Sequence, residues 1–184
     1  AVKTKKSSTY SRDGVSIIVS PGIFHPGIFL STNIFIDFLK EQKTSGKKVL
    51  ELGAGSGFIS FYLMDKMKCF VTASDINPEA IIALKKNNEY RTNKVTIVQS
   101  DLFEKLDPND FEIIIINPPY YPKNPTSNPE IAFYCGENFE YFEALFSELE
   151  IKFDNDITSC YMILSEDCDL DHINAIAIKN NIKM

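Results

Sequence analysis

The sequence predicts an α/β protein built on one mostly parallel, doubly wound sheet with helices on both faces. Three observations carry that prediction. From about residue 47 onward, short β-branched apolar runs alternate with stretches of helical spacing. Such alternation leads to right-handed crossovers and parallel pairing. Residues 113–116 are four consecutive isoleucines, which suits an internal strand covered on both faces. The length of 184 residues allows one real core and is too short for two ordinary domains.

The elements follow in order. "GVSIIVSPGIF" reads as a strand closed by a Pro-Gly turn, and "STNIFIDFLKEQ" as a helix with Ser31 or Thr32 as its N-cap. "KKVLELGAGSG" is a strand running into glycines, followed by the helix "FISFYLMDKM" and the strand "CFVTASDI". "NPEAIIALKKNNEY" opens with Asn77 as N-cap and Pro78 in the first turn, a strong helix start. "KVTIVQSD" and "EIIIINPPYY" are the third and fourth strands of the alternating part. "GENFEYFEALFSELEIKF" places Phe139, Phe142, Leu145, Phe146 and Leu149 on one helical stripe. "TSCYMILSED" is a fifth strand, and "DLDHINAIAIKNNIKM" reads as helical to the end. Residues 1–30 form an N-terminal strand and turn extension, and residues 31–184 the main domain. No internal repeat is evident, and "YYPKNPTSNPE" is the only long Pro/Asn/Ser loop.

Composition narrows the function classes. Apolar residues make up 44% and charged residues 24%, as in globular proteins. No apolar run approaches the roughly 18 residues of a membrane span, and no leader is visible behind the basic N-terminus. Cys69, Cys135, Cys160 and Cys168 form no CxxC pair, so the expectation is reduced thiols in a cytoplasmic protein rather than a zinc site. The net charge of -6 is unevenly spread. Lys3, Lys5, Lys6 and Arg12 make the N-terminus basic, whereas residues 130–171 hold twelve acids and the single base Lys152. That half would repel a phosphate backbone and suits a protein or basic partner.

The stretch "ELGAGSG" marks the ligand end of the sheet. Glycines after a parallel strand let the backbone turn tightly and approach a ligand closely. Gly53, Gly55 and Gly57 do not continue into the dinucleotide fingerprint, because position 58 is Phe, and no P-loop pattern is present. Glu51, just before the glycines, would repel a pyrophosphate and suits a cationic ligand. The next strand ends at Asp75, placed to accept both hydroxyls of a ribose. The third ends at Asp101, which can accept from an adenine amine beside the Leu102 backbone. Together these residues describe a pocket for adenosine without phosphates.

This constellation resembles the class I S-adenosylmethionine-dependent methyltransferases, over about residues 30–170. The resemblance implies a Rossmann-like fold and S-adenosyl-L-methionine as cofactor, held by Glu51, Gly53, Ala54, Gly55, Gly57, Asp75, Ile76, Asp101, Leu102 and Asn117. It also implies an antiparallel strand hairpin closing the sheet. Since the sequence stops at Met184 after the fifth strand's helix, the expectation is that this hairpin is missing from it.

In that setting Asn117-Pro118-Pro119-Tyr120 reads as chemistry for a planar nitrogen. An amide or nucleobase amine attacks poorly because its lone pair is delocalised. The Asn117 side-chain oxygen and the Pro118 carbonyl can accept its two hydrogens, and the prolines fix that carbonyl's direction. Tyr120 offers a face for stacking. His25, in "IFHPG", is a turn histidine that this chemistry does not need. "NPPY" resembles the motif of amino-methyltransferases, and the helix with Thr32 resembles an element of the HemK-type glutamine methyltransferases, where Thr32 would face the methionine end of the cofactor. The approach "PGIFHPGIFLST" is more similar to the small-domain methyltransferases. The implied activity is N-methylation of a protein glutamine amide, with a glutamine-bearing loop as partner and room for an activator subunit. The alternatives are a nucleobase amine of RNA or DNA, and a non-catalytic scaffold subunit.

Overall fold

The computed structural model describes residues 6–154 and 156–184; Lys3 and Lys5 of the basic N-terminus lie outside them. The chain opens with an antiparallel hairpin of β1 (Ser8–Arg12) and β2 (Val15–Val19). Asp13 and Gly14 form its turn with φ of 50° and 77°. Two left-handed residues match the twist of the flanking strands. The sequence reading had β2 but not β1, although Asp-Gly between two runs is a hairpin signal. β2 alternates buried Val15, Ile17 and Val19 with exposed neighbours, so one face joins the core.

Then follow α1 (Ser31–Glu41), β3 (Lys48–Leu52), α2 (Phe58–Met67), β4 (Phe70–Asp75), α3 (Pro78–Glu89) and β5 (Thr96–Gln99). The chain returns across the sheet to β6 (Ile113–Ile116), α4 (Glu140–Lys152), β7 (Ser159–Met162) and α5 (Leu170–Lys179). The main sheet has the order β5-β4-β3-β6-β7, and every pair in it is parallel. β6 sits between β3 and β7, and its four isoleucines are all buried. Burial of an isoleucine side chain stabilises by roughly 1.5–3 kcal/mol, which makes β6 a main anchor of the sheet.

The two faces carry different layers. The hairpin, α1, α2 and α3 pack on one face around Val49, Ile113 and Ile115. The other face packs α4 and α5 on Leu50, Leu52, Ile114 and Ile116. The predicted stripe Phe139, Phe142, Leu145, Phe146 and Leu149 is buried in this second layer. Asn77 caps α3, its side chain accepting from the Glu79 N–H at 3.0 Å.

Two helix ends differ from the sequence reading. α1 is capped by Leu30 rather than Ser31 or Thr32, because Leu30 already has helical φ and ψ and its carbonyl accepts from Ile34 N. The final helix stops at Lys179. Asn181 turns left-handed at φ 56°, its N–H donates to Ile178 O, and the Ile182 N–H donates to Ala177 O. That is a Schellman closure, with Ile182 folded back onto the core.

The hairpin is fastened where it steers the loop that follows. Asn87 acts as a strand partner for Ile18, accepting from its N–H and donating to its carbonyl, both at 2.8 Å. Arg91 pairs with Asp65 and donates to Ser16 O at 2.6 Å. Tyr10 and Arg12 both bond Asn33 of α1. These ties fix residues 20–30 over the carboxyl ends of β3 and β6.

Candidate active site

The strand order reverses between β3 and β6, and a cleft opens at the carboxyl ends of those strands. A topological switch point of this kind leaves a crevice because the connections leave in opposite directions. The glycine turn after β3 forms its floor. Ala54 N donates to Ser74 O and Gly57 N to Ala54 O, each at 2.8 Å. Gly53 has φ 74°, and a Cβ there would meet no atom within 4 Å. Its open side is available to a ligand. Gly57 does not line the cleft. It lies behind the turn at φ 77°, where a Cβ would run into Leu84 and Phe61, so this glycine serves packing of α2 on α3.

Glu51 is 5% exposed on β3 and borders the cleft. One of its oxygens accepts from both the N–H of Ser60 (2.8 Å) and the Ser60 hydroxyl. Burial pushes its carboxyl up to about 8; the two Ser60 bonds oppose the rise and the charge of Asp75 adds to it. A positively charged ligand group would offset that burial and ionise the acid. A raised acid favours the fold below its unfolded value, near 4.5, and loses that support as pH climbs to about 8. Glu51→Gln is therefore expected to stabilise the ligand-free protein, by about 3 kcal/mol at pH 7 and not at all near pH 4. Thermal melts across pH check this, and an equal gain at both pH values would contradict it. The same variant should bind a cationic ligand more weakly.

Asp75 ends β4, is 9% exposed and faces the cleft. Its carboxylate accepts from Gly55 N at 2.7 Å and Asn77 N at 2.9 Å. Each oxygen thus spends one lone pair on the backbone and keeps capacity for a ligand hydroxyl. Burial raises its carboxyl above the usual range, against the backbone bonds that lower it. Asp101 is exposed at the cleft edge. Leu102 beside it is left-handed at φ 40°, and its carbonyl accepts from the Ser100 hydroxyl at 3.1 Å. Ile76 and Ala54 also line the cleft.

Asn117, Pro118, Pro119 and Tyr120 close the opposite wall. Asn117 Nδ2 donates to Ser31 Oγ at 3.4 Å. The amide nitrogen is thereby committed and its oxygen left as an acceptor. Thr32 lies in the first turn of α1, 3% exposed, and borders the same space. Tyr120 meets Tyr121 edge-on at 4.9 Å, and the Tyr121 hydroxyl donates to Asp167 at 3.1 Å. Burial first, then Asp167, pushes the Tyr121 phenol up to about 12. His25 has a turn role: Nδ1 accepts from Gly27 N at 3.1 Å.

The sequence reading missed the roof. Phe24 and Phe29 stack at 4.7 Å with an interplanar angle of 19°, and Phe133 tilts against both at 5.9 and 5.4 Å. All three line the cleft. The signal was present: Pro-Gly-Ile-Phe occurs at both 21–24 and 26–29, a short duplication passed over above. Phe133 carried no comparable signal, since it reaches the roof only because residues 128–133 fold back toward Gly22.

An open glycine floor, a buried acid suited to a cation, and a half-used carboxylate fit an adenosyl ligand with positive charge. Comparison with known proteins agrees. Residues 14–132 match the family model described as "Methyltransferase small domain". A Methanocaldococcus jannaschii relative, provisionally named a protein N5-glutamine methyltransferase, is 32% identical over 60% of this chain and 53% of its own length. A Geobacter sulfurreducens relative named release factor glutamine methyltransferase is 29% identical over 59% of this chain and 38% of its own. The chain therefore spans about half or less of these relatives. Among solved structures, the Mtq2–Trm112 complex of E. cuniculi superposes with a TM-score of 0.62 at 19% identity, covering 86% of this chain and 84% of that one, which bears on the fold. The chain belongs to the methyltransferase small domain family, with a Rossmann-like fold and S-adenosyl-L-methionine as its cofactor.

Proposed function

We propose that the protein transfers a methyl group to a planar nitrogen, the side-chain amide of a glutamine held in a loop of a partner protein. The observation that carries this reading is the position of Asn117. It borders the same cleft as the glycine turn, with its nitrogen donating to Ser31 and its oxygen without a partner among the described residues. Bound S-adenosylmethionine supplies an electrophilic methyl on a sulfonium. Glu51, Gly53, Ala54, Gly55, Asp75, Ile76, Asp101, Leu102 and Thr32 would hold it, and Gly57 would support the turn from behind.

The remaining work falls to this chain's own residues. Asn117 Oδ1 accepts one hydrogen of the target NH2 and the Pro118 carbonyl the other. Pro118 and Pro119 have φ restricted by their rings, so the carbonyl is held in place before substrate arrives. Two acceptors stabilise the positive charge that grows on nitrogen as it is alkylated. The face of Tyr120 packs on the flat amide. No strong base is required, because the alkylated nitrogen is acidic and releases its proton readily.

A protein target is supported by charge. The acids of residues 130–171 lie largely at the surface, and Asp167 stands at the rim with Tyr121. A phosphate backbone would meet repulsion there. The names of the two relatives above point the same way. The Mtq2–Trm112 complex, described as responsible for methylating the eRF1 termination factor, supports an activator subunit as a further partner. The test is transfer of a tritiated methyl group from labelled donor to a cell lysate, with and without nuclease. Label should enter a protein band and survive nuclease. Label lost with nuclease would favour a nucleobase amine, and no label on any macromolecule would favour a non-catalytic scaffold.

A further inference from the structure

Tyr141, in the first turn of α4, lines the cleft from the layer opposite Glu51. Its ring is held edge-on by Phe142 at 5.4 Å, and its backbone N–H donates to Cys135 O at 2.9 Å. Its hydroxyl has no hydrogen-bond partner among the described residues. This contrasts with Tyr10, Tyr62 and Tyr121, whose hydroxyls donate to Asn33, Asp13 and Asp167. Besides burial, the Cys160 thiol and then Asp75 and Asp101 bear on the phenol. Burial first, and these groups after it, raise the phenol well above its ordinary range, so it stays protonated and can donate throughout the neutral pH range.

A phenol donor without an acceptor among the described residues therefore lines the same cleft as the ribose acid Asp75 and the amine acid Asp101. Neither carboxylate takes its hydrogen, which leaves the donor available to a ligand in that cleft. Within adenosine, the atoms between the ribose and the exocyclic amine that can accept are purine ring nitrogens. We infer that the Tyr141 hydroxyl donates to N3 or N7 of the cofactor's purine and makes the pocket selective for adenine over purine analogues lacking that nitrogen. A buried donor left without its acceptor costs more than the bond is worth in water, which is how a pocket gains selectivity from one hydrogen bond.

The inference rests on assigning the cleft to the cofactor, and the test separates the two. Calorimetry is run with S-adenosylhomocysteine and with its 3-deaza and 7-deaza purine analogues, on the wild-type protein and Tyr141→Phe. The wild type should bind one of the deaza analogues about tenfold more weakly than the parent. Tyr141→Phe should lose about the same factor for the parent and close the gap to that analogue. If Tyr141→Phe binds the parent as the wild type does, or loses the same factor for all three ligands, Tyr141 does not read the base. If that variant fails to melt cooperatively, the wild type decides alone: equal affinity for all three ligands overturns the assignment. A wild type that binds none of them removes the cofactor site as well.

Discussion

Asn117→Ala is expected to lower kcat by roughly 100- to 1,000-fold, the range seen when one positioned polar group is removed from a site of developing charge. Affinity for S-adenosylhomocysteine should stay near that of wild type. The separation follows from where Asn117 sits. It closes the cleft wall opposite the glycine floor and is tied to Ser31 at 3.4 Å. In the proposed reaction its oxygen accepts from the target NH2, and positive charge appears there only as the nitrogen attacks. Losing that acceptor removes an interaction made mainly in the transition state, so kcat falls and binding does not. Single-turnover rates with the substrate found by labelling, set beside calorimetric affinities, check the split. Unchanged turnover would remove the role given to Asn117, and an equal loss in both quantities would make it a binding residue.

Asp75→Ala is expected to weaken S-adenosylhomocysteine binding by roughly 100-fold. Two hydroxyls donating to a charged acceptor contribute about 1.5 kcal/mol or more each. The carboxylate also organises the floor, since it accepts from Gly55 N at 2.7 Å and Asn77 N at 2.9 Å. Alanine would leave those N–H groups short of an acceptor and lower the melting temperature as well. Asp75→Asn keeps one acceptor oxygen and should fall between the two. Burial raises this carboxyl above its ordinary range, so affinity should decline as pH falls toward its titration. Calorimetry at several pH values measures this. An affinity indifferent to both substitution and pH would place the ribose elsewhere.

Much of the architecture was legible because burial on both sides of a parallel strand leaves a continuous apolar run. Ile113–Ile116 announced β6, and its neighbours followed from alternation alone. Helix starts were legible where a side chain caps, as at Asn77, and not where backbone geometry does the capping, as at Leu30. The end of α5 depended on Asn181 turning left-handed and on Ile182 finding the core, a contact that exists only once the layers are packed. β1 escaped notice because its strand is short and half-exposed, so its apolar pattern is faint beside its Asp-Gly turn.

The cleft divides in the same way. The sequence by itself determined the chemistry at each strand end: glycines at 53 and 55, acids at 51, 75 and 101, and the Asn-Pro-Pro-Tyr turn. Strand ends are local, and parallel topology brings local ends to one edge without further instruction. Tertiary structure alone decided that Gly57 faces α3 rather than the cleft, that Ser31 orients Asn117, and that Phe24, Phe29 and Phe133 meet as a roof. It also left the Tyr141 hydroxyl without a partner among the described residues. Apart from the local Phe24–Phe29 stack, these are relations between residues 27 to 109 positions apart. No short window of sequence contains both members of such a distant pair, and only the packed layers fix the distance between them.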